Sequence, residues 1–413
     1  MDILQNYYKK RITLSSSNKK LNTFTLSGLI IGPILGSGII LLPPLLYNNI
    51  HNNSILIWIA ICFFGFLFAL VFGKLSILYK GESGVSIATK EALGKKYQLL
   101  TSFYLIFAVF FGPVAVLLIA AQFLQVYFST TNIAVIGFGI YILTYLLLVR
   151  QISFIGKIML FVTSITSVIF IVASINILIN VTTFELVFPA LSYSKVGYSF
   201  LLVFWAIVGW EVIGNYSNDV EDKKTLSNSV IFSAIMVSII YLLVASAIVF
   251  GDFTSIQKED FKLVYLLEPI FKNYSNIILN TTAVVLCIGT LILFVGGVAR
   301  LISSLNLTKY SSKKTISNIP IGALNILSFI YIIVLTLVYY KVLDISDLVT
   351  FADGFFIANA IIGLITAIKI FKNGFIRYSS ILLTGVFFMI LLSSNIYILS
   401  IITVLFLIVY FKK

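Results

Sequence analysis

The chain has 413 residues, 60% hydrophobic and only 10% charged, with a mean hydropathy of +1.08. So little charge cannot cover a water-soluble domain of this length, which places the chain among membrane proteins. The net charge of +13 invites a nucleic-acid reading, but the distribution of basic residues opposes it.

Apolar stretches of the ~20 residues needed to cross a bilayer recur along the sequence. They define spans 1–12 at about 24–47, 55–79, 99–128, 132–149, 157–180, 197–217, 227–250, 276–299, 321–340, 346–368, 375–393 and 395–411. The first is not a cleavable signal: it is too long, lacks a small-residue cleavage site and carries Pro43-Pro44 at its far end. With the N-terminus inside, 23 of the 28 basic residues lie on the cytoplasmic side and 5 outside, namely Lys195, Lys258, Lys262, Lys272 and Lys341. That asymmetry follows the positive-inside rule and puts both termini in the cytoplasm of a multi-pass cell-membrane protein.

Residues 1–22 form a basic cytoplasmic tail suited to anionic headgroups. The segment 81–96 is weakly amphipathic and is expected along the interface, and 251–275 has room for a short surface helix. Cys62 and Cys287 fall inside spans and imply neither a disulfide framework nor a metal site, while His51 is expected to be solvated in a short external loop.

Span 1 reads GLIIGPILGSGIILLPPLL, with Gly36-Ser37-Gly38 at its centre, and span 6 carries Gly209 beside Trp210 and Glu211. An offset of five spans inverts the second unit relative to the first, the arrangement of an inverted repeat with paired discontinuous helices. Unwound backbone survives in lipid only where protein or a water-filled cavity satisfies it, so each break marks a candidate site. The N–H groups of Ser37, Gly38 and Ile39 would open a new half-helix whose positive end suits a carboxylate. Carbonyls near Ala206, Ile207 and Gly209 would accept from an ammonium group, and the two ends together describe a receptor for a zwitterion. The competing reading is that these glycines only let helices pack closely.

Glu211 lies deep in span 6, where a carboxylate costs at least about 2.5 kcal/mol on insertion scales. It is expected to carry a proton or couple protonation to a gate; the structural alternative pairs it with Lys157 or backbone N–H groups. Asp353, about two turns into span 10, suits an outer gate or ion step, or hydration at the mouth. Lys157 and Arg300 are expected to snorkel to headgroups. Thr163, Ser164, Thr166 and Ser167 offer oxygens to Na⁺, although bonding to their own helix is the commoner use. The sequence contains no P-loop, metal-spaced His/Cys cluster or GxSxG elbow, so neither direct ATP drive nor enzyme chemistry has a visible home.

At these residues the sequence resembles the amino acid–polyamine–organocation (APC) superfamily. GPILGSGIILLP is similar to that family's first-helix signature, and FWAIVGWEVIGNYSNDVEDKKTLSNSV to its sixth helix and following loop. GESGVSIATKEALGK after span 2 and NIPIGALN before span 9 look most like the bacterial L-methionine and branched-chain amino acid exporter branch. The resemblance implies an all-α membrane fold of twelve helices, a five-plus-five inverted repeat with discontinuous helices 1 and 6. A ten-helix transport core would occupy 23–369 and two additional spans 370–413. It implies a substrate site made by Pro33, Ile34, Gly36, Ser37, Gly38 and Ile39 of span 1, with Val109 and Pro113 of span 3. Trp205, Ala206, Ile207 and Gly209 of span 6 complete it. It further implies that Ser37 and Gly38 hold a carboxylate, that Trp205 closes over the substrate, and that Glu211 takes part in proton-linked gating.

Relatives that take arginine have a polar residue at Pro113, and its absence here, with Val109 a turn earlier, favours an apolar substrate. The lysine that some proton-coupled relatives carry midway along span 5 is missing from MLFVTSITS. The expectation is a secondary transporter of neutral, hydrophobic amino acids, monomeric or homodimeric, with no cofactor and no nucleic-acid partner. Efflux or exchange with proton coupling is expected, and Na⁺ stays open. The alternatives are a carrier of cationic amino acids or polyamines and a non-transporting receptor or scaffold.

Overall fold

The computed structural model describes residues 20–182, 188–253 and 261–411. Most of the basic tail, with Lys258, Lys412 and Lys413, lies outside them. Span 1 is α1 (Thr23–Leu35) and α2 (Gly38–Ile50), span 2 is α3 (Ser54–Leu78), and α4 (Val85–Leu93) precedes span 3, α5 (Lys95–Leu124). Spans 4 and 5 are α6 (Ile133–Leu148) and α7 (Ile152–Leu178). Span 6 is α8 (Tyr193–Phe204) and the one-turn α9 (Trp210–Ile213), and span 7 is α10 (Lys223–Phe250). After α11 (Val264–Phe271), spans 8 to 12 are α12 (Ser275–Leu305), α13 (Ile321–Tyr339), α14 (Ile345–Ile370), α15 (Phe375–Leu392) and α16 (Ile396–Phe411).

Burial decides which helices are central. The most apolar windows of α5, the α11–α12 segment and α14 are 78%, 83% and 72% buried, whereas those of α7 and α15 are only 33% buried. α5 packs on α12 and α14, and α1 packs on α7, α10 and α12. The outer helices present large apolar side chains such as Phe161, Phe329 and Met389 to their surroundings, as a lipid-facing surface does.

The sequence sets several helix ends directly. Asn22 and Thr25 form a capping box at α1, Asp344 and Asp347 another at α14, and the Asp222 side chain accepts from Thr225 N–H at α10. Pro43 and Pro44 do not end span 1; α2 runs on to Ile50.

Two segments gain detail and two expectations are corrected. In 81–96, α4 buries Val85, Ala88 and Thr89, packs on α5 and α14, and leaves Lys90 and Glu91 exposed. The short helix expected in 251–275 is α11, which exposes Glu268 and buries Leu266 and Leu267. His51 is half-buried in a turn, edge-on to Tyr47, with Nδ1 buried and without a hydrogen-bond partner among the described residues. Arg300 does not snorkel; its Nε donates to Asp219 at 2.8 Å, its Nη1 to Gly296 O at 3.0 Å, and its guanidinium sits 4.5 Å from the Tyr216 ring centre.

Candidate functional site between the broken helices

Both breaks are present, and each follows from local chemistry. Gly36 has φ +40 and ψ −140, a conformation that side chains oppose, and α2 starts two residues later at Gly38. In span 6 the chain passes from α8 through a 3-10 turn at Trp205–Ile207 to extended Val208, then to Gly209 at φ +127.

Breaking a helix inside a membrane leaves carbonyls that must be answered. Those at the end of α1 are capped from neighbouring spans. Thr290 Oγ1 donates to Pro33 O at 2.9 Å, and the Tyr241 hydroxyl lies 3.3 and 3.2 Å from Ile34 O and Leu35 O. Thr163 Oγ1 donates to Gly28 O at 3.0 Å, bonding across to span 1, whereas Ser164 and Thr166 bond within their own helix. The N-terminal end of α2 is different. Ser37 makes no side-chain cap, so the first-turn N–H groups of α2 keep no partner from it.

A small cavity of about 20 Å³ lies at this end, enough for a water or two rather than an organic ligand. Of the expected site residues, Pro33, Ile34, Gly36, Ser37, Gly38, Pro113 and Trp205 line it. So do Gly112, Val116, Val208, Leu291, Phe294 and Phe356, which nothing in the sequence distinguishes because apolar residues fill every span, and Thr290. Thr290 was the one visible signal, a hydroxyl inside an apolar helix.

Other expected residues lie elsewhere. Val109 is buried away from the cavity, and its carbonyl accepts from the Tyr331 hydroxyl at 3.0 Å. Ile39 is fully buried and does not line it. Ala206 and Ile207 line a separate small pocket with Trp58 and Tyr241. The Gly209 carbonyl accepts from Val212 N–H at 3.0 Å. Glu211 is 2% exposed; Oε2 accepts from Gly209 N–H at 3.0 Å, and Oε1 is buried with no partner among the described residues. Lys157 is exposed and is not its partner.

Trp205 forms the roof. Its Nε1 donates to Ser37 Oγ at 3.2 Å, and the residue lines both the small cavity and a larger one of about 420 Å³ beyond it. Leu45 and Tyr198, which line the larger cavity, are about half exposed. Asp353 lines it and is 7% exposed. On the other face the path is shut. Leu21 N–H donates to Asp219 O at 2.8 Å and Glu221 N–H to Leu21 O at 3.2 Å, beside the Arg300–Asp219 ion pair. Among the described residues no group of three or more His, Cys, Asp or Glu is placed to hold a metal ion.

Comparison with known proteins agrees with this architecture. The chain is similar, at 20% identity over 371 residues and 87% of each chain, to the L-methionine/branched-chain amino acid exporter YjeH of Escherichia coli (strain K12). Its fold matches the crystal structure of the Eremococcus coleocola manganese transporter in complex with an aromatic bis-isothiourea substituted compound. That match has a TM-score of 0.58 at 11% identity, covering 90% of this chain and 85% of that one. A likeness at that identity speaks for the fold alone. The amino acid permease family model matches residues 21–412, and the chain therefore belongs to that family, a membrane transporter of the APC superfamily and not an enzyme.

Proposed function

We propose that this permease is a secondary active transporter of neutral, hydrophobic amino acids such as methionine, leucine, isoleucine and valine, working by export or exchange coupled to protons. The observation that carries the reading is the cavity beside the uncapped start of α2. Free N–H groups and the Ser37 hydroxyl suit a carboxylate, while Pro33, Ile34, Pro113, Val116, Leu291, Phe294 and Phe356 surround it with apolar surface. A cationic side chain would find no carboxylate among these lining residues. Carbonyls in the turn at Trp205–Val208 are the remaining acceptors for the substrate ammonium.

In this reading the substrate enters from the large cavity, Trp205 swings from Ser37 to admit it, and the apolar walls part to enlarge the site. Glu211, two residues beyond the second break, is the proton carrier: protonation removes a buried charge and weakens its hold on Gly209 N–H. Asp353 belongs to the outer gate. The face bearing the Arg300–Asp219 pair is cytoplasmic, with both termini, in keeping with the 23-to-5 asymmetry of basic residues.

Proteoliposomes loaded with labelled leucine or methionine test the reading. Exchange against external leucine is expected, with net flux responding to a pH gradient and little competition by arginine or putrescine. No flux of any neutral amino acid would overturn it, and arginine displacing substrate where leucine does not would assign the protein to cationic cargo.

A further inference from the structure

The cavity beyond Trp205 contains a carboxylate that no group among the described residues answers. Asp353 Oδ1 is buried and has no hydrogen-bond partner among the described residues, and the residue is 7% exposed on the cavity wall. Among the described residues that line this cavity there is no lysine, arginine or histidine. A carboxylate withdrawn from water needs a counter-charge or hydrogen-bond donors. In a space open to solution, a solute can supply both.

The rest of the wall narrows the class of solute. Leu41, Leu42 and Leu45 of α2, Leu201 and Leu202 of α8 and Val349 of α14 line the cavity, with Gln122, Ser346, Thr350 and Ser394 among them. Its volume of about 420 Å³ falls in the ~300–1,000 Å³ range of small-molecule sites. A bare divalent cation would need about six oxygen ligands and would leave the leucine walls without a partner. An anion would meet Asp353. A primary ammonium on an aliphatic body satisfies the carboxylate and the walls together.

We propose that this outer cavity is a second binding station, which takes an aliphatic primary amine with its ammonium group on Asp353 and its apolar body against the leucine wall. It rests on the reading of the chain as an amino acid carrier, because such a cargo bears that group. The two stations differ in the end they grip: the inner holds the carboxylate at the start of α2, the outer the ammonium. They are divided by Trp205 bonded to Ser37, so a molecule can sit in the outer one while the inner stays closed.

Thiol protection reads the outer station without requiring transport. Cys62 and Cys287 are both buried, so a membrane-impermeant methanethiosulfonate reports on a Thr350→Cys substitution in the cavity wall. With saturating 3-methylbutylamine, labelling of the full-length protein should slow at least about fivefold, as mass action requires when a ligand stands at several times its Kd. The amine-free analogue 4-methylpentanoate should not protect. Adding Asp353→Asn should abolish protection by the amine, and Asp353→Glu should keep it, which controls for damage to the fold. Equal protection by both compounds, amine protection that survives Asp353→Asn, or none by the amine would overturn the proposal. Protection without amino acid flux in liposomes would instead count against the transport reading, and flux without protection against the outer station alone.

Discussion

Gly36 and Glu211 carry the most specific consequences at the scale of single residues. A Cβ at Gly36 would run into the Thr290 hydroxyl and lie 2.6 Å from Pro33 O, at a backbone conformation of φ +40. Gly36→Ala should therefore lose about 1–3 kcal/mol to strained backbone alone, read as a lowered melting temperature in detergent together with lost exchange. An unchanged melting temperature would show that the break tolerates a side chain. Glu211→Gln preserves a carbonyl oxygen able to accept from Gly209 N–H, so the protein should fold normally. What it removes is the proton: exchange should persist while the pH dependence of net flux flattens. A variant whose pH profile matches the parent's would exclude Glu211 as the proton carrier.

At the scale of elements, the half-helices depend on caps from other spans. Thr290→Val keeps the shape and deletes the donor to Pro33 O, so it should cost about 1 kcal/mol, visible as a thermal shift. Tyr241→Phe should add to it by leaving Ile34 O and Leu35 O unanswered, while keeping the ring stacked at 4.8 Å on Trp58. Equal stability of the double variant and the parent would mean that water replaces these donors. Outside the membrane, the Thr225 N–H bonded to Asp222 holds that carboxyl below its ordinary value. A depressed folded-state pKa stabilises above the unfolded value and is lost as pH falls through the folded one. The melting-temperature gap between the parent and Asp222→Ala should thus close as pH drops below the usual carboxylate range. A gap that widens with acid would contradict the cap.

For the whole molecule, one end of the transport path is open to a large cavity and the other is latched. The latch joins three parts distant in sequence: Leu21 before α1, the 219–221 segment after span 6, and Arg300 on α12. Arg300→Gln removes one partner of a largely buried pair and should shift the population toward a state open on that side. Amide exchange around residues 20–23 and 219–222 should rise at least tenfold, equivalent to about 1.4 kcal/mol. Unchanged exchange would show that the backbone pairing of Leu21 holds the face shut by itself.

Much of this was legible in the residues alone. Hydropathy determined the membrane class, because apolar length and the cost of buried charge are properties of composition. Glycine at Gly36 and Gly209 determined where spans 1 and 6 break, since only glycine enters those backbone conformations cheaply. The motif resemblance reached the family. Tertiary structure decided what each residue faces. In spans that are apolar all round, no periodicity separates a wall of the site from packing, so Phe294, Phe356 and Val116 were invisible while Val109 and Ile39 looked equal to them. The same limit hid the fate of Arg300, which reads as a headgroup anchor until Asp219 and Tyr216, some 80 residues earlier, are brought against it. The break at Gly36-Ser37-Gly38 belongs to the sequence; the hydroxyls of Tyr241 and Thr290 that cap one side of it, and leave the other free, belong to the fold.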